Sequence, residues 1–337
     1  MIEVIDNEKD WKQILLSCDS YDFYHTYDYH LISKKADELP ILVTYSEDDT
    51  TIAIPFLKRT IENTAYFDLT SVYGYAGPVY KNVEKSFNNT LFRTELEQIF
   101  SELNIVSVFS RLHPYLKNQA IILNNMGQTP TLGKVVNINL TLPLDEQRMQ
   151  YGKSTKNRTN KCRRLCNVVL AETEEQIDTF IDVYYENMDR LQASKDYYFS
   201  RKYFFDFLKC TDFETDILLV QHQETGEVIA GSMFVKTNDI VQFHLSGTRD
   251  NALNLAPANL FLDEMRVRAT EQNYEIFNLG GGVGSKEDSL FNFKSSFSKE
   301  HHEFKVWKHI TNNDRYQKLI GDKEVDKNEQ FFPLYRK

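Results

Sequence analysis

The sequence has few cysteines and no long hydrophobic run. Its four cysteines, Cys18, Cys162, Cys166 and Cys210, are too few and too scattered for a disulfide framework. Cys162 and Cys166 could share a helix face, but no second cysteine or histidine pair stands near them, so we expect no bound metal. No apolar run approaches bilayer length, and the charged N-terminal residues lack the apolar core of a signal peptide. We therefore expect a cytoplasmic protein with no transmembrane segment.

The chain also lacks a positive net charge and the common nucleotide-binding motifs. With 39 Lys and Arg against 49 Asp and Glu, its formal net charge is -10, which argues against DNA binding through overall basicity. The glycines at 280–284 follow a predicted strand, but neither a P-loop lysine nor a downstream βαβ unit accompanies them. Nucleotide hydrolysis and hydride transfer are therefore not expected.

One order of secondary structure is predicted twice. In the first half a hairpin, a strand, a helix and a strand are predicted at residues 40–45, 51–57, 65–69, 87–104 and 105–109. In the second half the same elements are predicted at residues 216–222, 228–235, 240–245, 257–272 and 274–279. An offset of roughly 170–180 residues indicates duplication of one α/β unit, because solenoid repeats are far shorter. We predict two similar domains, 1–140 and 141–337.

A glycine turn near the end of the chain precedes a lysine among aromatic residues. Residues 274–279 alternate apolar and polar side chains, and Gly280, Gly281 and Gly282 follow them. Glycine lets a backbone approach a ligand closely. After a polar loop, Phe293 and Lys294 place a cation where a developing negative charge could be stabilised. The structural alternative is a strand, a turn and a core segment with a surface lysine.

A cluster of positive charge stands out in this acidic chain. From Arg148 to Arg164 the sequence contains seven Lys and Arg and no acidic residue. Such a segment predicts an anion site for the phosphates of a substrate. The alternative is a solvated basic helix that pairs with surface acids.

Together these elements resemble the FemABX-type acyltransferases, which are tandem domains of the Gcn5-related N-acetyltransferase (GNAT) superfamily. The resemblance covers about residues 22–309, and the segments that carry it are YEIFNLGG, DSLFNFKSSF, SVYGYAGPV and KSTKNRTNKCRR. It implies an α/β (α+β) fold of two GNAT-like domains, each a mixed, mostly antiparallel sheet flanked by helices. The layout is closest to FemX-like members without a coiled-coil arm.

The resemblance implies an N-acyltransferase that acts on an amine of a nucleotide- or lipid-linked sugar or peptidoglycan precursor. No cofactor is expected to stay bound, and acyl-CoA is slightly favoured as co-substrate because the arm is absent and the chain is acidic. An aminoacyl-tRNA-dependent peptidoglycan aminoacyltransferase is the first alternative. Because the segment GTRDNALNLAPANL replaces the usual GNAT pyrophosphate loop, a non-catalytic binding or scaffold protein is the second. The acyl group, the acceptor and the oligomeric state stay open.

The resemblance also assigns candidate site residues. Lys294 would stabilise charge during transfer, and the backbone amides near the glycine turn could assist it. His113 stands where tRNA-dependent members more often carry an aspartate, and it is a candidate base because imidazole titrates near neutral pH. A histidine that is hydrogen-bonded in a turn before proline is the alternative. The substrate-binding candidates are Tyr73, Tyr75, Arg111, Lys153, Lys156, Asn157, Arg158, Lys161 and Phe293. The donor-binding candidates are Gly280, Gly281, Gly282 and His244.

Overall fold

The computed structural model describes residues 1–321 and 331–337. The strands are β1 (Ile2–Ile5), β2 (Glu38–Glu47), β3 (Thr50–Thr60), β4 (Phe67–Thr70), β5 (Val79–Lys81), β6 (Ile105–Arg111), β7 (Thr131–Asn139), β8 (Cys166–Leu170), β9 (Glu214–His222), β10 (Val228–Thr237), β11 (Ile240–Thr248), β12 (Ile276–Gly280) and β13 (Glu300–Ile310). The α-helices are α1 (Glu8–Ser17), α2 (Tyr27–Ser33), α3 (Thr90–Glu102), α4 (Gln119–Ile122), α5 (Leu144–Met149), α6 (Lys153–Arg163), α7 (Glu174–Arg190), α8 (Arg201–Lys209), α9 (Pro257–Glu271), α10 (Ser289–Ser295) and α11 (Asn313–Ile320).

The chain divides into two compact units. The first unit comprises Met1–Leu132 and Glu303–Lys337, and the second comprises Gly133–His302. The sequence prediction placed everything after residue 140 in the second domain. The C-terminal residues group with the first unit because β13 pairs antiparallel with β6. That pairing joins segments far apart in the sequence, which local patterns do not reveal.

Each unit repeats one order of strands. In the first unit β2 and β3 form a hairpin, β4 pairs antiparallel with β3, β6 pairs parallel with β4, and β13 pairs antiparallel with β6. In the second unit the strands that occupy the corresponding positions in the sheet, with the same relative directions, are β9, β10, β11, β12 and β7. The fold is therefore the predicted one, in which each unit is a mixed, mostly antiparallel sheet flanked by helices.

A helix covers one face of each sheet with apolar side chains. In the first unit Phe92, Leu96 and Phe100 of α3 are buried. In the second unit Phe261 of α9 belongs to the same buried core as Phe234 and Phe277. The ring centroid of Phe234 lies 6.3 Å from that of Phe261 and 5.8 Å from that of Phe277. Each fully buried side chain of this size stabilises the fold by about 1.5–3 kcal/mol. Along the described residues, no helix is both long enough and apolar enough to cross a bilayer.

Candidate active site

Two parallel strands of the second unit separate at the place where the glycine turn begins. Strands β11 and β12 are in register only from Ile240 opposite Ile276 to Gln242 opposite Asn278. Beyond these pairs β12 ends at Gly280 and pairs with β7 through a bulge, while β11 continues to Thr248 along β10. The facing backbones of β11 and β12 therefore stop hydrogen-bonding to each other there. Such backbone groups can bind a ligand.

Lys294 reaches the glycine turn at this separation. It lies in α10, and its Nζ donates a hydrogen bond of 2.7 Å to the carbonyl oxygen of Gly281. The same nitrogen lies 5.6 Å from the centroid of the Phe243 ring. The structure thus brings the predicted lysine and glycines together and adds Phe243, which the sequence did not single out.

Burial makes Lys294 lose its proton more readily than an exposed lysine does. The residue is 8% exposed, and loss of solvation lowers its pKa to about 8, while the carboxylate of Asp288 acts in the opposite direction. At neutral pH the ammonium therefore still predominates. An ammonium in a poorly solvated place interacts more strongly with a developing oxyanion than it would in water.

Asp288 joins the glycine turn to the helix that carries Lys294. It caps α10 by accepting a hydrogen bond of 2.9 Å from Phe291 N, and it also accepts one of 3.1 Å from Val283 N in the turn. These backbone donors hold the pKa of Asp288 below its usual range. The cap fixes where α10 begins and therefore where Lys294 lies.

His244, a predicted donor-binding residue, lies on β11 close to α8. Its Nε2 is 3.0 Å from the hydroxyl of Tyr203, and its ring centroid is 5.0 Å from that of Phe207. Loss of solvation lowers the pKa of His244 to about 3, so its imidazole is neutral at physiological pH. Phe293, a predicted substrate-binding residue, is half-buried with its ring 5.3 Å from Phe297.

The predicted anion site is the exposed face of α6. Thr155, Thr159 and Cys162 form the buried face of this helix. A shallow depression of about 500 Å³ is lined by Lys153, Ser154, Asn157, Arg158 and Lys161. Lys156 lies beside this face and donates to the carbonyl oxygen of Met149 at 3.3 Å.

The basic segment serves two different purposes. Arg148 and Arg163 each lie 2.9 Å from the buried carboxylate of Asp263, so their charges stabilise the fold. Among the described residues, Lys153, Arg158 and Lys161 form no ion pair. The structural alternative, in which the basic side chains pair with acids, therefore applies to Arg148 and Arg163 and not to Lys153, Arg158 and Lys161. An unpaired group of cations on one helix face can bind phosphate.

The remaining candidates lie in the first unit. Tyr73 is 67% exposed, and the guanidinium of Arg111 lies 5.5 Å from its ring centroid. These two residues are accessible to a ligand. Tyr75 packs edge-on against Tyr24 and Phe304, with centroid distances of 5.8 and 4.9 Å, so its ring belongs to the packing of the loop.

His113 is held in place by buried hydrogen bonds. Its side chain has no exposed surface, and its Nε2 lies 3.0 Å from the equally buried carboxylate of Asp22. Its backbone N donates to Gln119 Oε1 at 2.9 Å. A general base must reach the proton that it removes. The geometry therefore favours the structural alternative for His113, and the base role has no support from its surroundings.

Comparison with known proteins identifies a family match in the second unit. Residues 210–304 match the FemAB family. This segment contains β11, β12, the glycine turn and Lys294. The match confirms the resemblance to the FemAB-type family that the sequence motifs indicated. No curated protein sequence matches the chain significantly.

Solved structures share the fold over nearly the whole chain. FemX is similar with a TM-score of 0.73 at 11% identity, covering 94% of this chain and 99% of that one. A conserved protein of unknown function from Bacteroides thetaiotaomicron VPI-5482 has a TM-score of 0.57 at 13% identity, covering 92% of this chain and 100% of that one. The C-terminal DUF2156 domain of a putative lysylphosphatidylglycerol synthetase from Agrobacterium fabrum has a TM-score of 0.56 at 14% identity, covering 92% and 94%. At such identities the likeness shows the fold and leaves the activity to be argued from the site.

Proposed function

We propose that this protein is an N-acyltransferase in cell-envelope or polysaccharide biosynthesis. Its acceptor is an amine on a nucleotide- or lipid-linked sugar or on a peptidoglycan precursor. One observation carries the proposal: the buried ammonium of Lys294 is held 2.7 Å from Gly281 O, where β11 and β12 separate. The FemAB match over residues 210–304 supports a transferase of this type.

The reaction needs little covalent chemistry from the protein. The neutral amine attacks the carbonyl carbon of a thioester, a C–N bond forms, and the carbonyl electron pair moves onto oxygen. When this oxyanion collapses, the C–S bond breaks and the thiolate leaves with a proton that the amine has lost. Holding the two reactants together supplies much of the acceleration. The charge of Lys294 stabilises the oxyanion or the departing thiolate.

The donor that we favour is an acyl-CoA. An extended ligand with amide groups can hydrogen-bond between two separating strands as an added strand does, and β11 and β12 no longer pair with each other beyond Gln242 and Asn278. The unpaired cations of α6 are suited to phosphates, which both the donor and a nucleotide- or lipid-linked acceptor carry.

An aminoacyl-tRNA is the second candidate donor, because the same exposed cations also fit an RNA backbone. The purified protein should be incubated with an amine precursor and either labelled acyl-CoA or labelled aminoacyl-tRNA. Label transferred from acyl-CoA alone is the expected result. Transfer from the charged tRNA alone would replace the acyl-CoA proposal by the aminoacyl one.

A non-catalytic binding role is the third candidate, motivated by the replaced pyrophosphate loop at residues 247–260. Thermal unfolding measured with CoA esters, nucleotide sugars and tRNA distinguishes this binding role from the two enzymatic roles. Stabilisation by a protein partner without any effect of these three ligand classes would support the binding role.

A further inference from the structure

Three amide side chains form a buried row across the sheet of the second unit. Gln242 on β11 is the register partner of Asn278 on β12, and Asn278 is the register partner of Asn137 on β7. Register partners project their side chains to the same face of a sheet. The three residues are 2%, 0% and 3% exposed.

This amide row is connected to the glycine turn that holds Lys294. Asn278 Nδ2 donates to Gln242 Oε1 at 2.8 Å, and Asn278 Oδ1 accepts from Gly280 N at 2.9 Å. Gly281, the next residue, accepts the hydrogen bond from Lys294. The row is therefore connected by hydrogen bonds to the turn that Lys294 contacts, and Asn278 stands three positions before Gly281 in the chain.

The last member of the row has an unused acceptor. Asn137 Nδ2 donates to Glu300 Oε1 at 2.7 Å, which fixes the orientation of the amide because a carboxylate only accepts. Asn137 Oδ1 is buried and has no hydrogen-bond partner among the described residues. A buried acceptor left in this way is costly, and a donor from a bound ligand or an ordered water would offset that cost.

Glu300 places a negative charge beside this acceptor. Its side chain is 36% exposed, and its Oε1 also lies 2.8 Å from His302 Nε2. Covalent geometry keeps Asn137 Oδ1 within about 5 Å of that carboxylate oxygen. A neutral acceptor and a carboxylate side by side match a cation with several N–H donors.

We propose that Asn137 and Glu300 form a binding subsite for a primary ammonium group. The ammonium donates a hydrogen bond to Asn137 Oδ1 and pairs with the carboxylate of Glu300. The inference rests on the proposed function and deepens it: an amine acceptor binds here as its ammonium form and loses a proton before it attacks, and the amino acid of an aminoacyl donor carries an ammonium as well.

Binding of small probes tests the subsite without any transferase assay. Glycinamide carries a primary ammonium, and N-acetylglycinamide has the same amide without it. Isothermal titration at millimolar concentrations should detect glycinamide and not its acetylated form. Asn137→Leu and Glu300→Gln should each weaken glycinamide binding about tenfold or more. No binding to the wild-type protein, equal binding of the two probes, or binding that neither variant weakens would overturn the proposal.

Thermal unfolding distinguishes a ligand-binding role from a structural one. Asn137→Leu removes the unpaired acceptor at similar volume, so the Tm of the free protein should stay constant or rise. Thr237→Val is a matched control, because Thr237 Oγ1 is also buried without a partner, at the turn end of the β10 hairpin. It should leave glycinamide binding unchanged. A large fall in Tm for Asn137→Leu would assign Asn137 to the fold and contradict the subsite.

Steady-state kinetics of Asn137→Leu identify the source of the ammonium. A KM about tenfold higher for the amine assigns it to the acceptor, and a higher KM for aminoacyl-tRNA alone assigns it to the donor. Unchanged KM values for both substrates would overturn the proposal. Glycinamide binding that depends on Asn137 in a protein without transferase activity would retain the subsite and reject the proposed function.

Discussion

The ammonium nitrogen of Lys294 lies 2.7 Å from the carbonyl oxygen of Gly281. The glycines on this turn make the approach possible. Gly280 has a φ of 75°, and a Cβ there would lie 3.2 Å from Lys294 Nζ, with no other atom beyond the adjoining residues within 4 Å. A side chain at Gly280 would be strained and would occupy the space beside the ammonium. The turn and the lysine therefore form one arrangement.

Lys294→Met tests the catalytic role of the ammonium. We expect kcat to fall about 100- to 1,000-fold, as when one preorganised donor to an oxyanion is removed. The Tm should stay constant or rise. A charged group whose pKa falls from 10.5 to about 8 on folding opposes folding by up to about 3 kcal/mol at neutral pH. The lost hydrogen bond to Gly281 offsets about 1 kcal/mol of that gain.

The control for this variant is Lys209→Met, since Lys209 is exposed on α8. It should change neither rate nor Tm. Transfer at the wild-type rate by Lys294→Met would remove the lysine from the mechanism, whatever its stability.

The charge of Lys294 can be measured directly by amine acetylation at graded pH. Only the neutral amine reacts, so the midpoint of labelling for Lys294 should lie near pH 8. Exposed Lys209 in the same digest serves as the reference lysine. Asp288→Asn should lower the midpoint further, because the Asp288 carboxylate raises the pKa of the lysine. Equal midpoints for the two lysines would contradict the desolvated site.

The sequence predicted the repeat because its elements carry local signals. The helix predicted at 257–272 is observed as Pro257–Glu271, where proline occupies the first helical turn and the apolar positions follow the helical period. The glycine turn and Lys294 were found in the same way. The glycines mark special backbone geometry, and the lysine follows them at a short distance in the chain.

What the sequence could not show depends on contacts between distant residues. His113 meets Asp22 across 91 positions, and Arg148 meets Asp263 across 115. Neither pair has a periodic signal, so His113 was considered as a base and Arg148 as part of an anion site. The grouping of Glu303–Lys337 with the first unit has no local signal for the same reason, because β6, the partner of β13, lies far upstream.

The exposed cations of α6 are expected to bind phosphate on a substrate. Replacing Lys153, Arg158 and Lys161 by glutamine should raise the KM of a phosphate-bearing substrate about 10- to 100-fold and weaken the dependence of KM on salt. The expected change in kcat is small, because these side chains bind substrate and do not contact the reacting atoms.

The matched control carries the same change of charge elsewhere. Lys9, Lys35 and Lys209 are exposed, and their replacement by glutamine should leave KM unchanged. If the two triple variants raised KM equally, a general charge effect would explain the result and α6 would not be a specific site.

Two buried histidines in the first unit should make the protein sensitive to acid. His25 and His30 have no exposed surface, and the Nε2 of each has no partner among the described residues. Burial lowers their pKa values from 6.5 to about 3 and about 4. In the unfolded chain both become protonated below pH 6.5, while in the folded chain they stay neutral. Stability is therefore complete above pH 6.5 and declines as the pH falls towards 4, by about 1.4 kcal/mol per pH unit for each histidine.

Urea unfolding at pH 7 and pH 5 measures this decline. The difference in unfolding free energy between the two pH values should be smaller for His30→Gln than for the wild-type protein, by about 2 kcal/mol. His301→Gln is the comparison: His301 is exposed, and although partial burial lowers its pKa as well, its effect on the difference should be smaller than that of His30. A glutamine at position 30 that lowers stability equally at both pH values would show that His30 acts through its hydrogen bond to Thr26 O and its packing on Trp11. In that case the acid sensitivity would have another origin.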